Sequence, residues 1–165
     1  MKLRYGFVSN SSSSSFYIQK PDKHLSLEEI ASYYNINPKL SEDERNWLTV
    51  CIWQILRSQE QYEAGTDDWW GSDHSNPEGL DYYLSDDNIA WMQGNDYFKK
   101  PSEYWEQAKK LKEDPSRLLY FGVDTNGNDS FEDLGFKIPY SVAYDLRSNA
   151  EEAFLDNSRA LGISE

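Results

Sequence analysis

Cys51 is the only cysteine among 165 residues. One thiol builds neither an intrachain disulfide framework nor a cysteine-based zinc site. Basic residues are also scarce: 16 Lys+Arg stand against 29 Asp+Glu, a formal net charge of -13. Binding a phosphate backbone requires a basic face that displaces counterions, so no direct contact with nucleic acid is expected. No apolar run approaches the ~20 residues that span a bilayer, and no membrane partner is expected either. The opening MKLRYGFVSNSSSSS has no apolar core of the kind a secretory signal carries. GxSxG, HExxH, a glycine-rich phosphate loop and a dinucleotide fingerprint are all missing, so no cofactor is expected. The most local absence is of positive charge: residues 58–98 contain no Lys or Arg.

What the chain has in abundance is aromatic side chains, with 6 Trp, 12 Tyr and 7 Phe making up 15% of it. A mean hydropathy of -0.82 alone would suit a disordered chain. Rings argue for folding, because each buried ring removes ~150–250 Å² from water. The length suits one domain. Residues 1–165 are therefore read as a single acidic domain with an aromatic-rich core.

Local patterns predict the elements. Residues 2–9 and Phe16–Ile18 read as strands that pair as a hairpin across Asn10 and the serines. Ser26-Leu-Glu-Glu29 and Ser41-Glu-Asp-Glu44 each fit a capping box, in which the serine hydroxyl and the glutamate three residues on satisfy free backbone N–H groups. They open helices over Leu27–Tyr34 and 42–59, the first ended by 35–39. In the second, Trp47, Leu48, Cys51, Ile52, Ile55 and Leu56 recur at helical spacing and form one apolar stripe, with Trp53 off it. Residues 64–79 read as a long loop, 81–84 and 88–92 as short strands, and 101–113 as a helix. Leu118–Val123 reads as a central strand, turned at Asn126-Gly127 into a return strand over 131–138. A last helix covers 149–161, with Gly162 as its cap. The sum is α+β: a small, mostly antiparallel sheet with three to four helices.

Charge is segregated. Residues 1–57 carry about +1, residues 58–98 carry ten carboxylates and nothing to offset them, 99–123 carry about +2, and 124–165 about -6. The acidic block also holds Tyr62, Trp69, Trp70, Tyr82, Tyr83, Trp91, Tyr97 and Phe98. Two readings are open. In one, the rings are core and the acids a solvated face. In the other, rings are anchors and carboxylates steer a basic partner. The second reading nominates Glu63, Asp67, Asp68, Trp69, Trp70, Asp73, Asp86 and Asp87 as partner-binding residues, because two adjacent indoles in a turn-rich loop do not easily both point inward.

Other motifs are weaker. Asp124, Asn126 and Asn128, with Glu132, fall at alternate positions of a calcium-loop pattern. That pattern has Asp129 and Gly135 where it needs a glycine and a bidentate glutamate, so a plain hairpin turn explains the same residues. Asp67, Asp68, Asp73 and His74, with Asp86 and Asp87, have the residue types of a metal cluster but no recognised spacing. Cys51, on the helix stripe, reads as a small buried hydrophobe. Lys99, Lys100, Lys109, Lys110 and Lys112 form one basic cluster, read as an ordinary helix face.

Ser11 to Ser15 are five consecutive serines after Asn10. By composition they form a flexible polar connection, a modification site or an anion-binding groove. The surrounding run, Gly6-Phe-Val-Ser-Asn-Ser-Ser-Ser-Ser-Ser-Phe16, resembles the N-terminal element of a scattered set of small proteins from tailed bacteriophages and some bacteria. It covers under a tenth of the chain. The resemblance implies a phage-encoded protein, made in the host bacterial cytoplasm or packaged in a virion; it assigns no chemistry to any residue. Composition and resemblance together lead us to expect an acidic binding protein that engages a basic surface of a host factor, as a nucleic-acid mimic or inhibitor of host machinery or defence. The alternatives are a virion decoration protein and a metal-dependent hydrolase using Asp67, Asp68, Asp73 and His74. The sequence leaves the oligomeric state open.

Overall fold

The computed structural model describes residues 13–63, 77–124, 146, 150–155 and 159–163. The described elements are β1 (Ser13–Gln19), α1 (Leu27–Tyr33), α2 (Glu42–Glu63), α3 (Pro77–Tyr83), α4 (Asp86–Gln93), α5 (Ser102–Lys112), β2 (Leu118–Asp124) and β3 (Ala160–Ile163). Two 3-10 turns, Pro115–Arg117 and Ala150–Glu152, complete them. The class is α+β, as expected.

The three strands form an antiparallel sheet in the order β2-β1-β3. Period-two alternation sorts β1 onto two faces. Phe16 and Ile18 join a core with Leu119, Phe121 and Ala160, covered by α1 and α2. Tyr17 joins a second core with Leu118, Leu161 and Ile163, covered by α3, α4 and α5. The sheet is the middle layer of three. Cross-strand ring pairs mark the register: Phe16 stacks on Phe121 at 5.0 Å, and Tyr17 meets Tyr120 at 5.2 Å.

Both capping boxes form. Glu29 N–H donates to Ser26 Oγ at 3.3 Å, and Ser26 N–H to Glu29 Oε2 at 2.9 Å. Glu44 N–H donates to Ser41 Oγ at 3.2 Å, and Ser41 N–H to Glu44 Oε2 at 2.7 Å. The second box explains how Glu44 tolerates burial. α1 ends in a Schellman motif: Asn35 N–H bonds Ser32 O, Ile36 N–H bonds Ala31 O, and Asn35 takes φ 49°, a left-handed conformation asparagine accepts readily. On α2 the whole expected stripe, Trp47 through Leu56, is buried. Trp53 lies at its edge with the Arg57 guanidinium 5.1 Å from its ring centre.

Four expectations are corrected. Residues 81–84 and 88–92 are helical, within α3 and α4, not strands. Leu80, Tyr83 and Leu84 fall at i, i+3 and i+4, and Ser85 caps α4 by accepting from Asn88 N–H at 3.3 Å. These are helical signals that the aromatic, strand-like composition masked. The helix expected over 149–161 is replaced by the 3-10 turn and β3, with Phe154 bridged to Ile36. Asp156-Asn157-Ser158 are poor helix formers, and a short isolated helix gains less than Leu161 and Ile163 gain on the sheet. Among the described residues the α-helices therefore number five, where three to four were expected. Of the expected hairpin, residues 2–9 lie outside the described residues, and both edges of Phe16–Ile18 are taken by β2 and β3. Finally, Ser13–Ser15 are not a loose connection: they begin β1, opposite Gly122, Val123 and Asp124.

Gly162 has a different role from the helix cap expected of it. A Cβ there would lie 1.7 Å from Ala150 O, so only glycine lets the 3-10 turn rest directly on β3. That turn is also tied to the α1–α2 connection by Asn37 Nδ2, which donates to Glu152 O at 2.7 Å. The return strand over 131–138 and the Asn126-Gly127 turn lie outside the described residues.

Candidate functional site

The described part of the acidic block consists of the end of α2, then α3, α4 and the turn after it. Pro77 opens α3 at a position where its missing N–H costs nothing. Leu80 and Leu84 are buried against α5, while Tyr83 packs on Trp105 at 5.8 Å between ring centres. Tyr83 Oη and Tyr104 Oη are 2.6 Å apart and share a hydrogen bond. Burial pushes the Tyr83 phenol up to about 12, and Tyr104 well above its ordinary value for the same reason. Asn88 Nδ2 donates to Tyr83 O at 2.8 Å, which locks α4 onto the end of α3.

α4 buries Met92 and half-buries Ile89, so the opposite side of this helix faces solvent. Trp91 lies on that side and is 58% exposed. Helical spacing puts Asp87, four residues earlier, on the same face as Trp91, and Asp87 is exposed too. Asp86 and Asp87 occupy the first turn, where the helix dipole favours negative charge. This local stabilisation offsets part of the repulsion within the block.

The turn after α4 adds two more rings. Asn95 shapes it: its Oδ1 accepts from Tyr97 N–H at 3.0 Å, and its carbonyl accepts from Phe98 N–H at 3.0 Å. Phe98 is half-buried against the second core. Trp91 stacks on Phe98 with centres 5.3 Å apart, and Tyr97 meets Phe98 edge-on at 4.9 Å. Tyr97 is 87% exposed, and Asp96 beside it is exposed as well. The result is a ladder of three rings, rooted by Phe98 and open on either side at Trp91 and Tyr97. Tyr82, 73% exposed on α3, is a further outward ring.

Among the described residues, two carboxylates of the block have basic neighbours. Asp81 pairs with Lys112 Nζ at 2.5 Å, and Glu60 accepts from or faces His24 Nδ1 at 3.1 Å. Both contacts are solvent-exposed and worth at most about 1 kcal/mol. Lys100, in the basic cluster, is mostly enclosed: it pairs with Glu151 and lies 5.6 Å from the centre of the Tyr104 ring. Burial lowers its pKa. Lys109 and Lys110 are exposed on α5, as an ordinary helix face requires.

Of the nominated partner-binding residues, Asp86 and Asp87 are exposed on α4, and Glu63 is the last residue of α2. Asp67, Asp68, Trp69, Trp70 and Asp73 lie outside the described residues, as does His74. Of the weak metal set, Asp124 ends β2 opposite Ser13, and Asn126 and Asn128 lie outside the described residues. Among the described residues no group of three or more His, Cys, Asp or Glu side chains could hold a metal ion. No described helix is long and apolar enough to cross a membrane. Cys51 is buried, and burial raises its thiol pKa, which leaves it unreactive.

The sequence reading put the aromatic anchor at Trp69-Trp70 and did not single out Trp91, Tyr97 or Asp96. The missing signal was helical phase. Once 86–93 is read as a helix buried through Ile89 and Met92, Trp91 must point away from the core. Comparison with protein-family models, with curated proteins and with solved structures finds no match to this chain.

Proposed function

We propose that this chain is an acidic binding protein that engages a basic surface of a host factor, in the role of a nucleic-acid mimic. One observation carries the reading: α4 and the turn after it hold Trp91 and Tyr97 open to solvent beside exposed Asp86, Asp87 and Asp96. This segment lies within a stretch that has no Lys or Arg of its own. Large exposed rings are what protein interfaces use as anchors, and rim carboxylates accelerate encounter with a positive partner. A surface of this kind presents to a nucleic-acid-binding protein the negative field that a phosphate backbone would present. The phage-like N-terminal element supplies the context, an infected bacterial cytoplasm, and names no partner.

The test is retention of basic host nucleic-acid-binding proteins on the immobilised chain at rising salt. The expected result is capture at low ionic strength, lost progressively as salt shortens the screening length below ~10 Å and displaced by added DNA. Capture that ignores salt and DNA, or no capture at all, would defeat the proposal. Recovery of the chain in purified phage particles by mass spectrometry, in place of host-factor binding, would favour the virion reading.

A further inference from the structure

We infer that the Trp91–Phe98–Tyr97 ladder selects arginine over lysine, so that the partner presents an arginine-rich segment and not merely a positive one. This deepens the proposed function and rests on it. The argument begins with what the rings offer. Trp91 and Tyr97 both rest against Phe98 and are 58% and 87% exposed, so each offers most of its ring surface to solvent. A guanidinium is planar and weakly hydrated, stacks on such rings, and at the same time donates two parallel hydrogen bonds to a carboxylate. An ammonium is a compact, strongly hydrated point charge that gains less from a ring and binds a carboxylate through one contact at a time. Exposed carboxylates accompany the rings: Asp87 is one helical turn from Trp91, and Asp96 precedes Tyr97 in the chain.

The chain itself uses this chemistry elsewhere. The Arg159 guanidinium lies 4.1 Å from the centre of the Tyr33 ring while its Nη1 donates to Tyr33 O at 3.1 Å. Arg57 covers Trp53 in the same way. Among the described residues no such cation is recorded over Trp91 or Tyr97, so these two rings are the places where a partner's guanidinium fits. Charge complementarity selects the occupant: an apolar partner would have to desolvate Asp86, Asp87 and Asp96 without compensation, whereas an arginine-rich one pairs with them.

The experiment titrates the full chain with two synthetic peptides of equal length and charge, one alternating arginine and glycine and the other lysine and glycine. Binding is followed by calorimetry and by the Trp91 indole NMR signal, assigned through Trp91→Phe. The arginine peptide is expected to bind about fivefold tighter. Trp91→Ala should weaken the arginine peptide more than the lysine peptide and so erase that preference, while Trp91→Phe keeps most of it. Equal affinity for both peptides overturns the arginine inference and leaves the electrostatic reading standing. An arginine preference that survives Trp91→Ala and Tyr97→Ala also overturns it, because the selecting site is then elsewhere. Failure of both peptides to bind at low salt defeats the inference together with the proposed function.

Discussion

On one face of the sheet, α2, a single helix of 22 residues, supplies most of the cover; on the other, helices of 7, 8 and 11 residues share it. The first face is closed by Leu48, Ile52, Ile55 and Leu56, with Trp47 and Tyr34 among them. The second is closed by rings with polar tips, Tyr17, Tyr83, Tyr104 and Trp105, alongside Leu80 and Leu111. Aliphatic side chains on one long helix form a stripe that buries completely. Short helices rich in rings cannot put every ring on one side, and Tyr82, Trp91 and Tyr97 stay outside. The surplus aromatic surface of Trp91 and Tyr97 therefore falls on and just after α4, among the exposed carboxylates Asp86, Asp87 and Asp96.

The sharpest way to break this comparison is at the contact that seats the 3-10 turn on β3. Gly162→Ala would drive a methyl group into the Ala150 carbonyl, and either β3 or the 3-10 turn must move. The expected loss is about 3 kcal/mol or more, read from urea unfolding. A variant as stable as the parent would show that the turn does not rest on β3. Next come matched core deletions. Leu48→Ala and Leu111→Ala remove fully buried side chains on opposite faces, and each should cost about 2–5 kcal/mol. If the two faces fold as one unit, both variants keep the parent's denaturant slope and a single transition. A second transition in Leu111→Ala alone would show that the acidic side unfolds independently.

The same contrast explains what was legible beforehand. α1 and α2 carry their instructions locally: serine and glutamate at capping-box spacing, then an apolar stripe of period 3.6. Both boxes and the whole stripe are present in the structure. α3 and α4 are short, and in Asp81-Tyr-Tyr-Leu84 and Asn88-Ile-Ala-Trp-Met92 strand-favouring rings conceal a helical period that spans barely two turns. β3 was hidden more deeply, because Leu161-Gly-Ile163 becomes a strand only through pairing with β1, far away in sequence. That Asp86, Asp87 and Asp96 face solvent follows from their charge alone. Which ring would face solvent depended on helix phase, and hence on α4 being recognised as a helix.

A middle-sized effect reads both faces by pH. Tyr83 and Tyr104 on the aromatic side, and Tyr34 on the other, are buried phenols whose pKa values are raised by desolvation. A raised phenol stays protonated in the folded chain while the unfolded chain ionises near pH 10, so the stabilisation is complete below pH 10 and is lost as pH climbs toward the folded value. For Tyr83 that window runs from the ordinary value of 10.0 to about 12. Each such tyrosine should remove about 1.4 kcal/mol per pH unit within its window. Lys100 acts in the opposite sense: its lowered pKa means the unfolded chain binds more protons just below 10.5, so its penalty is relieved as pH rises there. Tyr83→Phe should flatten the alkaline fall in stability, measured by urea unfolding between pH 9 and 11. An unchanged slope would count against an enclosed phenol at 83.

A helix cap gives a smaller effect: on the aliphatic side, Ser26→Ala should cost about 1 kcal/mol, because Glu29 N–H loses its side-chain partner.

The smallest expected effect on stability is the most informative about function. Trp91 contributes to the folded state mainly through its stack on Phe98, and more than half of its surface is already in water. Trp91→Ala should therefore change stability by less than about 1 kcal/mol, far below Leu111→Ala on the same side of the sheet. A large loss would mean that the ladder is an outlying part of the core, kept for packing, and would remove the reason to read it as an interface. A small loss accompanied by weaker capture of basic partners would separate the two roles that aromatic rings have in this molecule. The rings turned inward hold the sheet to its helices, and Trp91 and Tyr97, turned outward against Phe98, would then be the ones the proposed partner meets.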